Sequence, residues 1–250
     1  MPLIKPYIAR IASEFRLKAG RKDKFHFDIN GAVNLILPVD IVSLSELTLS
    51  KIKQWLFDRG VDVDIDYNDR LLHGFILTFQ GSGFIFINGT DTEEERRYTV
   101  AHEASHFILD YKLPRDRAIE KLGPQIVEVL DGYRAASTME MVDGLLASVN
   151  IQPYTHLLEK AADGSFNSIK IYNSENDADA LALELLAPST DVIKDTKATK
   201  PQLAFEEFKS TAFRILMDKY LLPVEIAKEY STRLAYVSTG GPSLVSKLRL

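Results

Sequence analysis

The sequence predicts an α+β fold: a small, largely antiparallel sheet packed on one central helix, with a helical insert and a helical C-terminal region. Three observations predict it. Apolar residues recur at helical spacing over residues 1–20 and through most of the chain after residue 91. Between residues 61 and 88 the pattern changes to alternation and to short apolar runs broken by glycine. The 250 residues are 46% apolar and 26% charged, which is enough apolar material for a full core. We read residues 1–250 as one domain: N-terminal helices and sheet over 1–90, a core with its insert over 91–190, and a helical C-terminal region with a tail over 191–250.

Each element has a local reason. Ile4, Ile8, Ile11, Ala12 and Phe15 mark the first helix, and Gly20 can end it. Residues 1–24 are basic, and the solvated face of a docked helix accounts for that better than an arm for an acidic partner. Residues 35–42 read as strand or extended chain through Pro38. Ser43 and Glu46 then form a possible capping box for a helix over 44–59, which Gly60 stops. Residues 61–67 alternate strictly and read as a half-buried strand. Residues 72–79 and 83–88, joined through Gln80, Gly81 and Ser82, read as an antiparallel hairpin.

The central helix starts at a second box, Thr92 with Glu95, and should run to about residue 111, with Pro114 marking its end. Residues 112–172 form a mostly helical insert. Pro124 suits a first helical position, Ser137 with Glu140 makes a third box, Pro153 starts a short helix, and 168–172 reads as a strand. A helix over 175–187 follows, capped by Ser174 and stopped by Pro188. A helical pair over 201–219 and 223–234 and a loosely held tail complete the chain.

The chemistry lies on the central helix, in His102-Glu103-Ala104-Ser105-His106. Histidines four apart share one helix face, so their imidazoles can converge on one metal ion. Glu103 lies between them, placed to reach water at that ion. With 5 histidines in the chain, chance would produce H-E-x-x-H in roughly 0.6% of such sequences. Tyr98, Val100, Ala101, Phe107, Ile108 and Leu109 make the helix apolar over much of its surface, so it should be buried and its histidines partnered.

A catalytic zinc usually takes three protein ligands. The chain has no cysteine, and no third histidine follows His106 closely. The third ligand is therefore expected to be a carboxylate on another helix. Glu175 is the best candidate, with Asp177, Asp179 and Glu184 as alternatives. Glu175 and Asp179 are four apart on one face, so one can ligate while the other orients a histidine ring.

The run from Arg96 to Phe107 resembles the motif helix of the ImmA/IrrE metallo-endopeptidases, as does the run from Glu175 to Pro188, with its acidic pair around a small residue and its Leu-Leu-x-Pro ending. The turn after the hairpin is also similar. This resemblance implies a zinc-dependent endopeptidase in which His102, His106 and Glu175 match the ligands and Glu103 the catalytic acid/base. Ser105 stands where the family usually has Gly, and the insert is longer than in its simplest members. Zinc would acidify a water, Glu103 would take its proton as general base, and the same carboxylate would return it to the leaving amine. His156 and Tyr154, in the insert, are candidates to steady the developing oxyanion; His26 and His73 have no expected role.

The remaining features bound the function. The net charge of -5 argues against direct nucleic-acid binding, including by the C-terminal helical pair. No apolar run reaches membrane-spanning length, and Lys5 and Arg10 interrupt any secretory core, so the expected location is cytoplasmic. By analogy with the family, the protein substrate would be a specific intracellular protein such as a separately encoded helix-turn-helix repressor. The alternative is a non-proteolytic protein-binding module on a metallopeptidase fold.

Overall fold

Three short, largely apolar segments build a small sheet. A computed structural model describes residues 4–20, 27–62, 69–151, 169–200 and 202–242. The expected strand over 61–67 and the helix from Pro153 fall largely outside these residues, as do His26, Tyr154, His156 and the end of the tail.

The chain divides into two compact units. The first comprises residues 33–91 and 102–179. Its sheet has three strands, β1 (Val39–Leu44), β2 (Gly74–Phe79) and β3 (Ser82–Asn88), in the order β1-β3-β2. The β2–β3 hairpin is antiparallel as expected, turning at Gln80 and Gly81. β1 instead pairs with β3 in parallel, Ile41 opposite Ile85, so the sheet is mixed.

Strand pleating sends Phe84 and Phe86 to one face, with Phe75, Leu77 and Val42 beside them. Helix α3 (Leu49–Phe57) covers that face: Ile52 and Leu56 pack with Leu47 and Phe86, all four fully buried. Trp55 stands edge-on to both Phe84 and Phe86. The other face carries Ile76, Ile85 and Ile87, also buried.

Two expectations here need correction. Residues 35–36 close a helix, α2 (Ile29–Ile36), and only from Val39 is the chain a strand. Ser43 is not a cap: it lies within β1, and Thr48 caps α3 by accepting from the Lys51 N–H. An apolar run can satisfy a strand ladder or a helix stripe, and here pairing with β3 decides for the strand. Asn88 fixes the junction. Its buried amide oxygen accepts from the backbone N–H groups of Leu47 and Thr90, while its amide nitrogen donates to Asp91.

The central helix, α4 (Glu93–His106), starts at the expected box: Thr92 and Glu95 exchange hydrogen bonds. It does not stop near residue 111. The chain passes into one π-helical stretch, Phe107–Lys112, and then into α5 (Leu113–Leu122), with Pro114 in its first turn. The Leu113 N–H still donates to the Ile108 carbonyl, so the helical run continues through the π-helical stretch up to the proline. A 3₁₀ turn (Pro124–Ile126), α6 (Val127–Leu130) and α7 (Thr138–Ala147) follow, the last opening on the expected Ser137–Glu140 box. Apolar side chains of α7, Leu145 and Leu146 among them, point outward.

Helix α8 (Ile169–Leu186) begins six residues before Glu175. Residues 169–172 are therefore helical, not strand, and Ser174 is not its cap. The second unit comprises residues 1–32, 92–101 and 180–250. Its α1 (Pro6–Lys18) buries Ile8, Ala12 and Phe15. Helix α9 (Ser189–Thr199), which no sequence signal announced, packs with the pair α10 (Phe205–Asp218) and α11 (Val224–Thr239). Arg97 donates to the carbonyls of Phe27, Tyr220 and Leu221, tying three segments of this unit together.

Gly83 of β3 leaves no room for a side chain. A methyl added there would lie 3.1 Å from the Phe107 ring and 3.2 Å from the Leu77 carbonyl oxygen. Gly83→Ala is expected to destabilise the protein by about 1–3 kcal/mol, as overpacking does. A urea midpoint that falls with unchanged slope checks this; an unmoved midpoint would mean that Phe107 yields freely.

Candidate metal centre

The helical period places His102 and His106 one above the other on α4, and their Nε2 atoms are 3.1 Å apart. Glu175 of α8 meets them: its Oε1 is 3.5 Å from His106 Nε2 and its Oε2 3.7 Å from His102 Nε2. All of these groups lie within the first unit. Among the described residues, His102, His106 and Glu175 form the group able to share one ion. Ala178, one turn after Ser174 on α8, is fully buried, so its small side chain fits a tightly packed stretch beside the site.

Both histidines are held from behind. His102 Nδ1 is 2.9 Å from Asp179, the carboxylate expected to orient a ring. His106 Nδ1 is 2.7 Å from Asp110, which also accepts from the Ser174 hydroxyl at 2.7 Å. Sequence reasoning missed Asp110 and misassigned Ser174. The signal was available: Asp110 repeats the four-residue step from His102 to His106, placing it on the same side of the chain.

The donor set fits a metal. With Asp110 bonded to His106 Nδ1 and Asp179 2.9 Å from His102 Nδ1, the Nε2 atoms of both rings are left to face Glu175 and each other. Such an arrangement is repulsive without positive charge between the atoms. Tetrahedral zinc with Zn–N near 2.05 Å places its ligand atoms roughly 3.3 Å apart, close to the distances here. Electrostatics agree. Burial disfavours charge on His106, but its bonds to Asp110 and Glu175, with Glu103 nearby, outweigh that penalty; the protein groups alone push its pKa up to about 10.

Glu103, next to His102 on α4, is only partly buried. Of the alternative ligands, Glu184 is committed elsewhere, accepting from the Ser189 N–H and the Tyr230 hydroxyl. Asp177 is outside the converging group. His73 pairs with Asp91 beside the hairpin, apart from the converging set.

Residues 59–139 match the family model of the M78 peptidases, described as the IrrE N-terminal-like domain. This supports the resemblance read from the motif helix. The IrrE-like segment contains both histidines and Glu103, covers less than half of the chain and ends before Glu175. The second helix of the site is therefore assigned by geometry alone. M78 is a metallopeptidase family, so the segment is metallopeptidase-like. No curated protein and no solved structure matches the chain. No helix among the described residues is long and apolar enough to cross a membrane.

Proposed function

We propose that this chain is a zinc-dependent endopeptidase of the cytoplasm that cleaves a specific protein, such as a separately encoded helix-turn-helix repressor. One observation carries the reading: two histidines and a carboxylate from two helices converge, with Glu103 beside them on the motif helix. His102, His106 and Glu175 would hold the zinc. The bound ion would supply Lewis acidity, which polarises a peptide carbonyl and acidifies water.

The chain's own residues supply the rest. Glu103 removes a proton from the attacking water and passes it to the departing amine, one carboxylate serving both steps. Asp179 and Asp110 hold the imidazole rings so that each Nε2 faces inward. The burial of His106 and Glu175 keeps bulk water from competing for the ligands.

The test is metal removal and restoration. The purified protein should bind one equivalent of zinc and cut members of a cell-derived peptide library, with new termini read by mass spectrometry. A chelator should abolish cleavage, and one equivalent of zinc should restore it. Failure to bind zinc would overturn the metal reading. Stoichiometric zinc without cleavage of the library or of a co-expressed repressor would favour the non-proteolytic module.

A further inference from the structure

The two ligand histidines are held unequally. The His102 side chain is 18% exposed and its partner Asp179 45%, whereas His106 is 1% exposed and Asp110 21%. Asp110 Oδ2 accepts two hydrogen bonds, one from His106 Nδ1 and one from Ser174 Oγ. Ser174 is the residue before Glu175. One carboxylate oxygen therefore bridges a ligand of α4 to the residue adjoining the ligand of α8. It lies on the π-helical stretch, where wider i→i+5 spacing alters the direction of side chains relative to an α-helix.

We propose that Ser174 is a positioning residue for the metal site, acting through Asp110. Its hydroxyl fixes the carboxylate that orients His106, and the same bond holds the start of the Glu175 turn against the π segment. His106 and Glu175 would form a half-site that is already set, and the more exposed His102, backed by Asp179, would complete the ligand set. Ser174 touches neither substrate nor metal in this scheme. A hydroxyl here has no use as a helix cap, since the helix has already begun at Ile169. The inference rests on the proposal that His102, His106 and Glu175 hold zinc.

Zinc affinity, measured by competition with a chromophoric chelator, tests it without reference to proteolysis. Loss of a residue that orients a metal ligand typically weakens binding about 10–100-fold. Ser174→Ala is expected near the lower end of that range, and Ser174→Thr, which keeps the hydroxyl, within about twofold of wild type by the same rule. Asp110→Asn should weaken binding at least as much as Ser174→Ala. The double variant should be no worse than Asp110→Asn, because both changes break one chain of bonds. In the zinc-loaded protein the His106 Nδ1 proton, seen by nitrogen-correlated NMR, should exchange faster in Ser174→Ala than in wild type. A purely structural serine would lower thermal stability while leaving affinity and that proton unmoved.

Equal zinc affinity in wild type and Ser174→Ala would overturn the inference, as would losses that add in the double variant. Wild type that fails to bind zinc would overturn the metal reading beneath it.

Discussion

Glu103→Gln is expected to lose about 10²–10⁴-fold in peptide hydrolysis while retaining a full equivalent of zinc. The amide keeps the size of the side chain and its place on α4 but cannot accept and return a proton at neutral pH. Glu103 is not part of the converging set, so metal content should be unchanged. The paired measurement is decisive because it separates chemistry from assembly. A zinc-loaded variant with undiminished cleavage would place the general base elsewhere. A variant that loses zinc as well would mean that Glu103 helps to build the site.

The second large effect concerns stability. Zinc present at a thousand times its dissociation constant should stabilise the wild type by about 4 kcal/mol, through mass action on the folded state. His106→Ala should abolish that increment. The substitution also removes a buried ring, so the metal-free variant will itself be less stable. The quantity to compare is therefore the zinc-induced shift in unfolding midpoint, not the midpoint itself. A His106→Ala protein that still gains the full shift would show that the ion binds elsewhere.

How much of this was legible in the sequence varied with the range of the interaction concerned. Local signals read well: the Thr92–Glu95 and Ser137–Glu140 boxes and the hairpin turn at Gln80-Gly81 are where spacing placed them. His102 and His106 converge because four residues on an α-helix is one turn. Glu175 needed more than spacing. It is separated from His106 by 68 residues, and only packing shows that it, rather than Glu184, reaches the histidines.

Long-range pairing defeated the same reasoning. β1 was obscured because its partner, β3, lies beyond an intervening helix and strand, and no local pattern distinguishes a parallel neighbour from an antiparallel one. Ser174 illustrates a further ambiguity. A serine before an acidic residue is a strong helix-start signal, yet here the helix runs through it and its hydroxyl serves Asp110. Pro114 misled because the helical run passes through it, directly after the π-helical stretch.

The π-helical stretch also sets how this chain can tolerate changes in length. It accommodates one more residue per hydrogen-bonded turn than the α-helices on either side. Removing a single residue between Phe107 and Lys112 would let that turn close as α-helix, leaving His102, Glu103 and His106 in place. Because the wide turn absorbs the extra residue, everything downstream would keep close to its present direction, whereas the same deletion within α4 or α5 would turn the following chain by about 100° around the axis. A one-residue deletion here should therefore act as a shortening rather than a rotation.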